Sequence, residues 1–193
     1  MSRWDYMNNL MIDLEGFSLK PDAAIASIGA AFFEPQTGTI GQCFYTAVDL
    51  TSAQLAGGRI DADTVIWWMK QSSSARAAIT GDATDISLAL SMLSEFIIDE
   101  CPANLVQVWG NGANFDNVIL RTAYERCGIE CPWKFFNDRD VRTIVELGRA
   151  VGFDPKKDMP FTGEVHNALD DAIHQAKYVS AIWQRLIPAT NNI

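Results

Sequence analysis

Long apolar runs are missing from this sequence. None approaches the roughly 18 residues that a membrane span needs, so no membrane partner is expected. The opening residues, Met-Ser-Arg-Trp-Asp-Tyr-Met, lack the basic-then-apolar order of a signal peptide, which makes a cytoplasmic protein the expectation. Cysteine is scarce, and Cys43, Cys101, Cys127 and Cys131 fall at irregular spacing. Cys127 and Cys131 have no second cysteine or histidine pair to complete a zinc site, so reduced structural thiols are expected. Repeats, low-complexity tracts and long linkers are also lacking, and residues 1–193 read as one domain large enough to bury a core. Cations are the minority charge: 15 Lys and Arg stand against 24 Asp and Glu, a net charge of −9. Contacts to phosphate usually come from Lys and Arg, so this shortage counts against a nucleic-acid partner. It counts for little if the acids gather at a metal site, where divalent cations supply the positive charge that faces a phosphate.

What is present is an ordered set of apolar segments. Asn9–Leu14 reads as a buried strand, Ile25–Phe33 as a second strand closed by Glu34-Pro35, and Gly41–Val48 as a third. Pro35-Gln-Thr-Gly38 supplies a turn, so the three form an antiparallel meander. Asp61 or Asp63 can start a helix through Val65, Ile66, Trp67, Trp68 and Met69, and another fits Ile86–Asp99 with Pro102 as its stop. A strand over Leu105–Trp109 follows, then helices near Asn114–Cys127, Val141–Val151 and Ala168–Leu186, the last ending before Pro188. This order predicts an α/β fold, a mixed sheet with helices packed on its faces.

Three places carry acidic residues where chemistry could use them. Asp13-Leu14-Glu15 ends the first strand, and side chains two apart on a strand share a face. Two carboxylates so placed repel unless a cation or proton lies between them, although an isolated Asp-x-Glu reads as a solvated strand end. Asn114-Phe115-Asp116 follows the Leu105–Trp109 strand, and ligands of α/β sheets gather beyond strand ends. His166-Asn167-Ala168-Leu169-Asp170-Asp171 enters the final helix. Asn167 with Asp170 three positions on resembles a helix cap, which leaves His166 on the incoming loop and Asp171 in the first turns.

Together, Asp13-x-Glu15, Asn111-x-x-Asn114-Phe115-Asp116 and His166-x-Ala168-x-x-Asp171 resemble, in order, the three motifs of the DEDDh exonucleases. That family includes the proofreading subunit of DNA polymerase, ribonuclease T and oligoribonuclease. Val65-Ile-Trp67-Trp68-Met-Lys-Gln71 and Asp138-Arg139-Asp140-Val-Arg142-Thr143 are similar to its phage-type and mycobacterial exoribonuclease-like branch. Where many members carry Asp-Thr, this sequence has Arg142-Thr143, a departure outside the metal carboxylates.

The resemblance implies a ribonuclease-H-like α/β fold and a 3′–5′ exonuclease releasing nucleoside monophosphates from the 3′ end of single-stranded DNA or RNA. It implies Asp13, Glu15, Asp116 and Asp171 as ligands of two Mg²⁺ or Mn²⁺ ions, and hard oxygen donors suit those cations. It implies His166 as the general base, a task that suits the side chain which gains and loses protons near neutral pH. For substrate contacts, Phe17 is expected under the terminal base, and one of Trp67 and Trp68 in packing, with Trp68 taken as the substrate residue. Arg139 and Arg142 read as phosphate contacts or as solvated arginines, and His174 as a surface or packing residue. A homodimer is consistent with family habit. The alternative is a catalytically silent nucleic-acid-binding module on the same fold.

Overall fold

Alternation along Asn9–Gly16 sorts that strand's side chains onto two faces. In the computed structural model, which describes residues 7–187, Leu10, Ile12 and Leu14 enter one apolar core while Met11 enters another. The segment before Met7, read above for a signal, and Pro188, read as a helix stop, lie outside the described residues.

This strand, β1, pairs antiparallel with β2 (Ile25–Glu34), which pairs antiparallel with β3 (Thr39–Val48), giving the expected meander. Short helices α1 (Leu50–Leu55), α2 (Ala62–Met69) and α3 (Ser73–Ala78) precede β4 (Ala83–Thr84), which lies parallel to β3. The chain continues through α4 (Ile86–Glu100), β5 (Gln107–Gly110), α5 (Asp116–Arg126) and β6 (Asp138–Asp140). It ends in α6 (Val141–Ala150), α7 (Pro155–Asp158) and α8 (Ala168–Leu186). β5 runs parallel beside β1, and β6 parallel beside β5, so the mixed sheet is ordered β4-β3-β2-β1-β5-β6.

Both faces are covered. On one, Leu90, Leu93 and Ile97 of α4 and Leu120 of α5 pack with Leu10, Ile12 and Ile28 of the sheet. On the other, Val141 of α6 and Ala172, Ala176 and Val179 of α8 pack with Met11, Phe33 and Trp109. Ala168, Ala172 and Ala176 recur every four residues, so α8 turns a stripe without bulk to the sheet. Gly29 of β2 meets that helix: a Cβ there would run into the Ala168 carbonyl and the Leu169 nitrogen. Gly29 also stands directly across from Asp13 in the β1–β2 register, so the close approach brings the start of α8 to the acidic end of β1. No described helix is long and apolar enough to cross a membrane.

Candidate active site

Asp13 and Glu15 follow the Met11 face of β1 toward α8, with Leu14 turned into the other core. Asp116 opens α5 just past β5, and Asp171 lies in the first turn of α8. Helix N-termini favour negative charge, so both carboxylates sit where the backbone supports them. Gln175, one turn beyond Asp171, donates through Nε2 to Asp13 Oδ1 at 2.7 Å. Donor atoms of Glu15, His166 and Asp171 lie within 4.8 Å of one another.

His166 is held, although the sequence left it on a loop able to move. Its φ of 65° lies in the left-handed region that non-glycine residues seldom adopt. Three contacts hold it there. The His166 N–H donates to Asp171 Oδ2 at 2.9 Å, the ring stands edge-on to Trp67 with centroids 4.9 Å apart, and Nδ1 is 3.9 Å from Glu15 Oε1. The loop before it is pinned as well. Ser72 and Ser74 hydroxyls donate to Glu164 Oε1 at 3.0 and 2.6 Å, and the Glu164 N–H donates to Asp170 Oδ2 at 2.9 Å. Asn167 caps α8 as expected, accepting from the Leu169 and Asp170 N–H groups, while the Asp170 carboxylate serves the loop instead of the cap.

Gathering these carboxylates has an electrostatic cost. Burial raises the Asp13 pKa well above the carboxylate range, and Asp116, Glu15 and Asp171 raise it further. Glu15 is pushed up to about 8 by burial and then by Asp171 and Asp116. Asp116 is raised to about 7 by burial, against the opposing pull of backbone N–H groups and the Arg142 guanidinium. Asp171 is raised by burial although His166 opposes it. A set of hard oxygen donors that resists ionisation in its own company fits a divalent cation, which would relieve the repulsion.

A consequence follows for stability. Carboxyl groups raised in the folded state and ordinary in the unfolded chain hold more protons when folded, so their contribution is present below about pH 4. It is lost as pH rises through the folded values of about 7 for Asp116 and about 8 for Glu15. In EDTA the thermal midpoint therefore falls from pH 5.5 to pH 8.5, and millimolar Mg²⁺ or Mn²⁺ raises it more at the higher pH. Equal metal-induced shifts at both pH values, measured by calorimetry, would contradict this account.

The expected substrate residues are placed differently from one another. Trp68 is 3 % exposed, its Nε1 donating to the Gly16 carbonyl at 3.0 Å and its ring packed with Ala26, Ala75 and Ile79, so it is not a ligand surface. Neighbours on a helix point about 100° apart, and Trp67 instead lines a cavity of about 380 Å³ beside Glu15. Phe17, half-buried, leans on Trp68 with centroids 6.1 Å apart and does not line this cavity, whereas Leu19, 75 % exposed, does. Phe115 both packs on the core and lines this cavity. Arg139 lines neither this cavity nor the second one described below, and its Nη1 donates to the Phe136 and Asp138 carbonyls. Arg142 is exposed beside Asp116 and lines the second cavity together with His174.

The six-stranded mixed sheet with helices on both faces is a ribonuclease-H-like fold, and its carboxylates gather at one end of β1. Residues 8–183 match the family described as the Rv2179c-like 3′–5′ exoribonuclease domain, and the chain belongs to that family. No curated protein matches the chain. Among solved structures it is similar to exonuclease I (TM-score 0.64, 13 % identity), covering 92 % of this chain and 42 % of that one. It is similar to Escherichia coli exonuclease I in complex with a dT13 oligonucleotide (0.61, 15 %, with 92 % and 42 % covered). It is also similar to the nuclease domain of 3′hExo, a DEDDh family member, bound to rAMP (0.57, 13 %, with 94 % and 92 % covered). The chain thus spans about two-fifths of the length of the exonuclease I structures. Metal dependence belongs to this exonuclease family, and Glu15, His166 and Asp171 form a cluster able to hold an ion.

Proposed function

We propose that this chain, acting as one catalytic domain, hydrolyses single-stranded nucleic acid from its 3′ end and releases nucleoside 5′-monophosphates. The observation that carries the reading is the convergence of Asp13, Glu15, Asp116 and Asp171 with His166, beside an apolar cavity that Glu15 lines. RNA is the favoured polymer because the family is one of exoribonuclease domains. A cytoplasmic location agrees with that substrate.

Asp13, Glu15, Asp116 and Asp171 would hold two Mg²⁺ or Mn²⁺ ions. When bound, such ions polarise the phosphate and make a water molecule more acidic. The chain's own part is to place and deprotonate. The cavity beside Glu15 takes the terminal nucleoside, with Trp67, Leu19 and Phe115 as its apolar walls. The His166 imidazole accepts the proton of the attacking water. As the new phosphorus–oxygen bond forms, the bond to the upstream 3′-oxygen breaks, and that oxygen takes a proton from solvent. Gln175 holds Asp13 by one oxygen and so fixes the direction of the other.

The test is a time course with 5′-labelled single-stranded RNA and DNA of one sequence in Mg²⁺, in Mn²⁺ and in EDTA. The expected result is a metal-dependent ladder shortening from the 3′ end, faster on RNA. Binding with intact substrate in every lane would replace the enzyme with a silent binding module, and cutting of circular single strands would make it an endonuclease.

A further inference from the structure

Residues 162–165 lead into His166 without burying a side chain: Thr162, Gly163 and Val165 are exposed and Glu164 is partly exposed. Just before them, Met159, Pro160 and Phe161 line a second cleft, of about 790 Å³, between α6 and α8, so the connection has open space on that side. Phe161 rests on the His174 ring with centroids 4.9 Å apart, and that hold ends five residues before His166. Apolar packing therefore fixes neither Glu164 nor Val165, the two residues ahead of the imidazole. A turn runs from Glu164 to Asn167, closed by the Asn167 N–H donating to the Glu164 carbonyl at 3.1 Å, and His166 is its third residue. The φ of 65° there is strained, and strain of this kind persists only where the surroundings over-determine it.

The support comes from a carboxylate. Glu164 Oε1 accepts from the Ser72 and Ser74 hydroxyls, and the Glu164 N–H donates to Asp170 Oδ2. Hydrogen bonds to an ionised acceptor are shorter and stronger than neutral ones. Both serines stand at the start of α3, where Ser72 also caps the helix by accepting from the Ala75 N–H at 3.0 Å. Buried contacts make that helix a fixed platform: Ala75 and Ile79 pack with Ala26 and Trp68, whose indole is bonded to the Gly16 carbonyl. One residue thus ties the turn to α3 through its side chain and to α8 through its backbone.

The geometry points to Glu164 as a positioning residue for the reaction: anchored on Ser72 and Ser74, it holds the His166 imidazole beside Glu15 and against Trp67. Glu164 lines neither cavity, so its effect on the reaction passes through His166. The inference rests on the exonuclease reading with His166 as its base, and it gives α3, which contributes no residue to the carboxylate cluster, a part in catalysis.

The test is a double-mutant cycle, read on 5′-labelled single-stranded RNA and DNA in Mn²⁺. Glu164→Ala is expected to lower kcat by about tenfold to a hundredfold, the scale of a displacement of roughly 1 Å at a reacting group. KM should stay near the wild-type value, because Trp67 belongs to α2, which the buried Trp68 holds independently of Glu164. In a His166→Ala background the same substitution should change kcat by less than about twofold, since no imidazole remains to be misplaced. Glu164→Gln keeps an acceptor for both hydroxyls and should recover most of the loss. Ser74→Ala, which spares the α3 cap, should lower kcat in the same direction and add nothing to Glu164→Ala. Equal losses from Glu164→Ala with and without His166 would overturn the positioning role, and so would a wild-type kcat in Glu164→Ala. A wild type inert on both polymers would overturn the exonuclease reading, a His166→Ala variant as fast as the wild type would overturn His166 as the base, and either would take the positioning role with it.

Discussion

Replacing His166 by alanine is expected to lower kcat by about 10²–10⁴-fold, the usual cost of losing a positioned base, while divalent-cation affinity stays close to that of the wild type. The separation is expected because His166 touches the site in two ways. Its backbone N–H donates to Asp171 Oδ2, which alanine preserves, and its imidazole faces Glu15 and Trp67, which alanine removes. Alanine also inherits the φ of 65°, a conformation that costs on the order of 1–3 kcal/mol outside glycine. A His166→Gly variant relieves that strain while still lacking the base. Both variants should therefore be slow, both should bind Mn²⁺ in calorimetric titration, and added imidazole should restore part of the lost rate. A kcat within threefold of the wild type would remove His166 from proton transfer. Loss of Mn²⁺ binding in both variants would show instead that the imidazole holds the cation.

How much of this was legible in the sequence depends on how local each signal is. The three long strands and the long helices α4, α5, α6 and α8 announce themselves because their apolar periods repeat several times within 8 to 19 residues. The elements α1, α3, α7, β4 and β6 span only two to six residues, too few for any period to show. Asp13 and Glu15 share a strand face by spacing alone, and His166 and Asp171 are ordered by the helix they introduce. The choice between Trp67 and Trp68 is of another kind. The rotation of α2 about its axis is set from outside the helix, by the Trp68 indole donating to the Gly16 carbonyl and by α3 beneath it. The same holds for Asp61: it begins α2, yet its carboxylate accepts from the Ser18 hydroxyl at 2.6 Å instead of capping the helix, so it ties the end of β1 to α2. Gln175 had one faint local signal, its position four residues beyond Asp171 on the same helical face. Its partner Asp13 is 162 residues away in sequence, and that pairing could only be seen once the helix was docked.

The docking of that helix is where Gly29→Ala is expected to have its effect. The substitution adds one methyl group on the strand opposite Asp13, and the atoms it would meet are the backbone carbonyl of Ala168 and the backbone nitrogen of Leu169. Backbone in the first turn of a helix cannot rotate aside as a side chain can, so α8 must lift or β2 must bend. Overpacking of this kind typically costs about 1–3 kcal/mol, which for a chain of this size lowers the thermal midpoint by roughly 2–4 °C per kcal/mol. The functional loss should be larger than the loss of stability. Asp171, Gln175 and the cap at Asn167 all ride on the displaced turn, and a misplacement of about 1 Å can cost on the order of 10²-fold in rate. Gly29→Ala should therefore fold, melt somewhat earlier and cut about a hundredfold more slowly at temperatures well below its midpoint. Gly81→Ala is the control, since a Cβ there meets nothing closer than 3.4 Å and should leave both quantities near wild type. Combining Gly29→Ala with Ala168→Gly should not restore the rate, because the obstruction is main chain and survives removal of the Ala168 methyl. Recovery in that double variant would mean that side-chain bulk, and not the approach of the two backbones, sets the distance between Asp13 and Asp171.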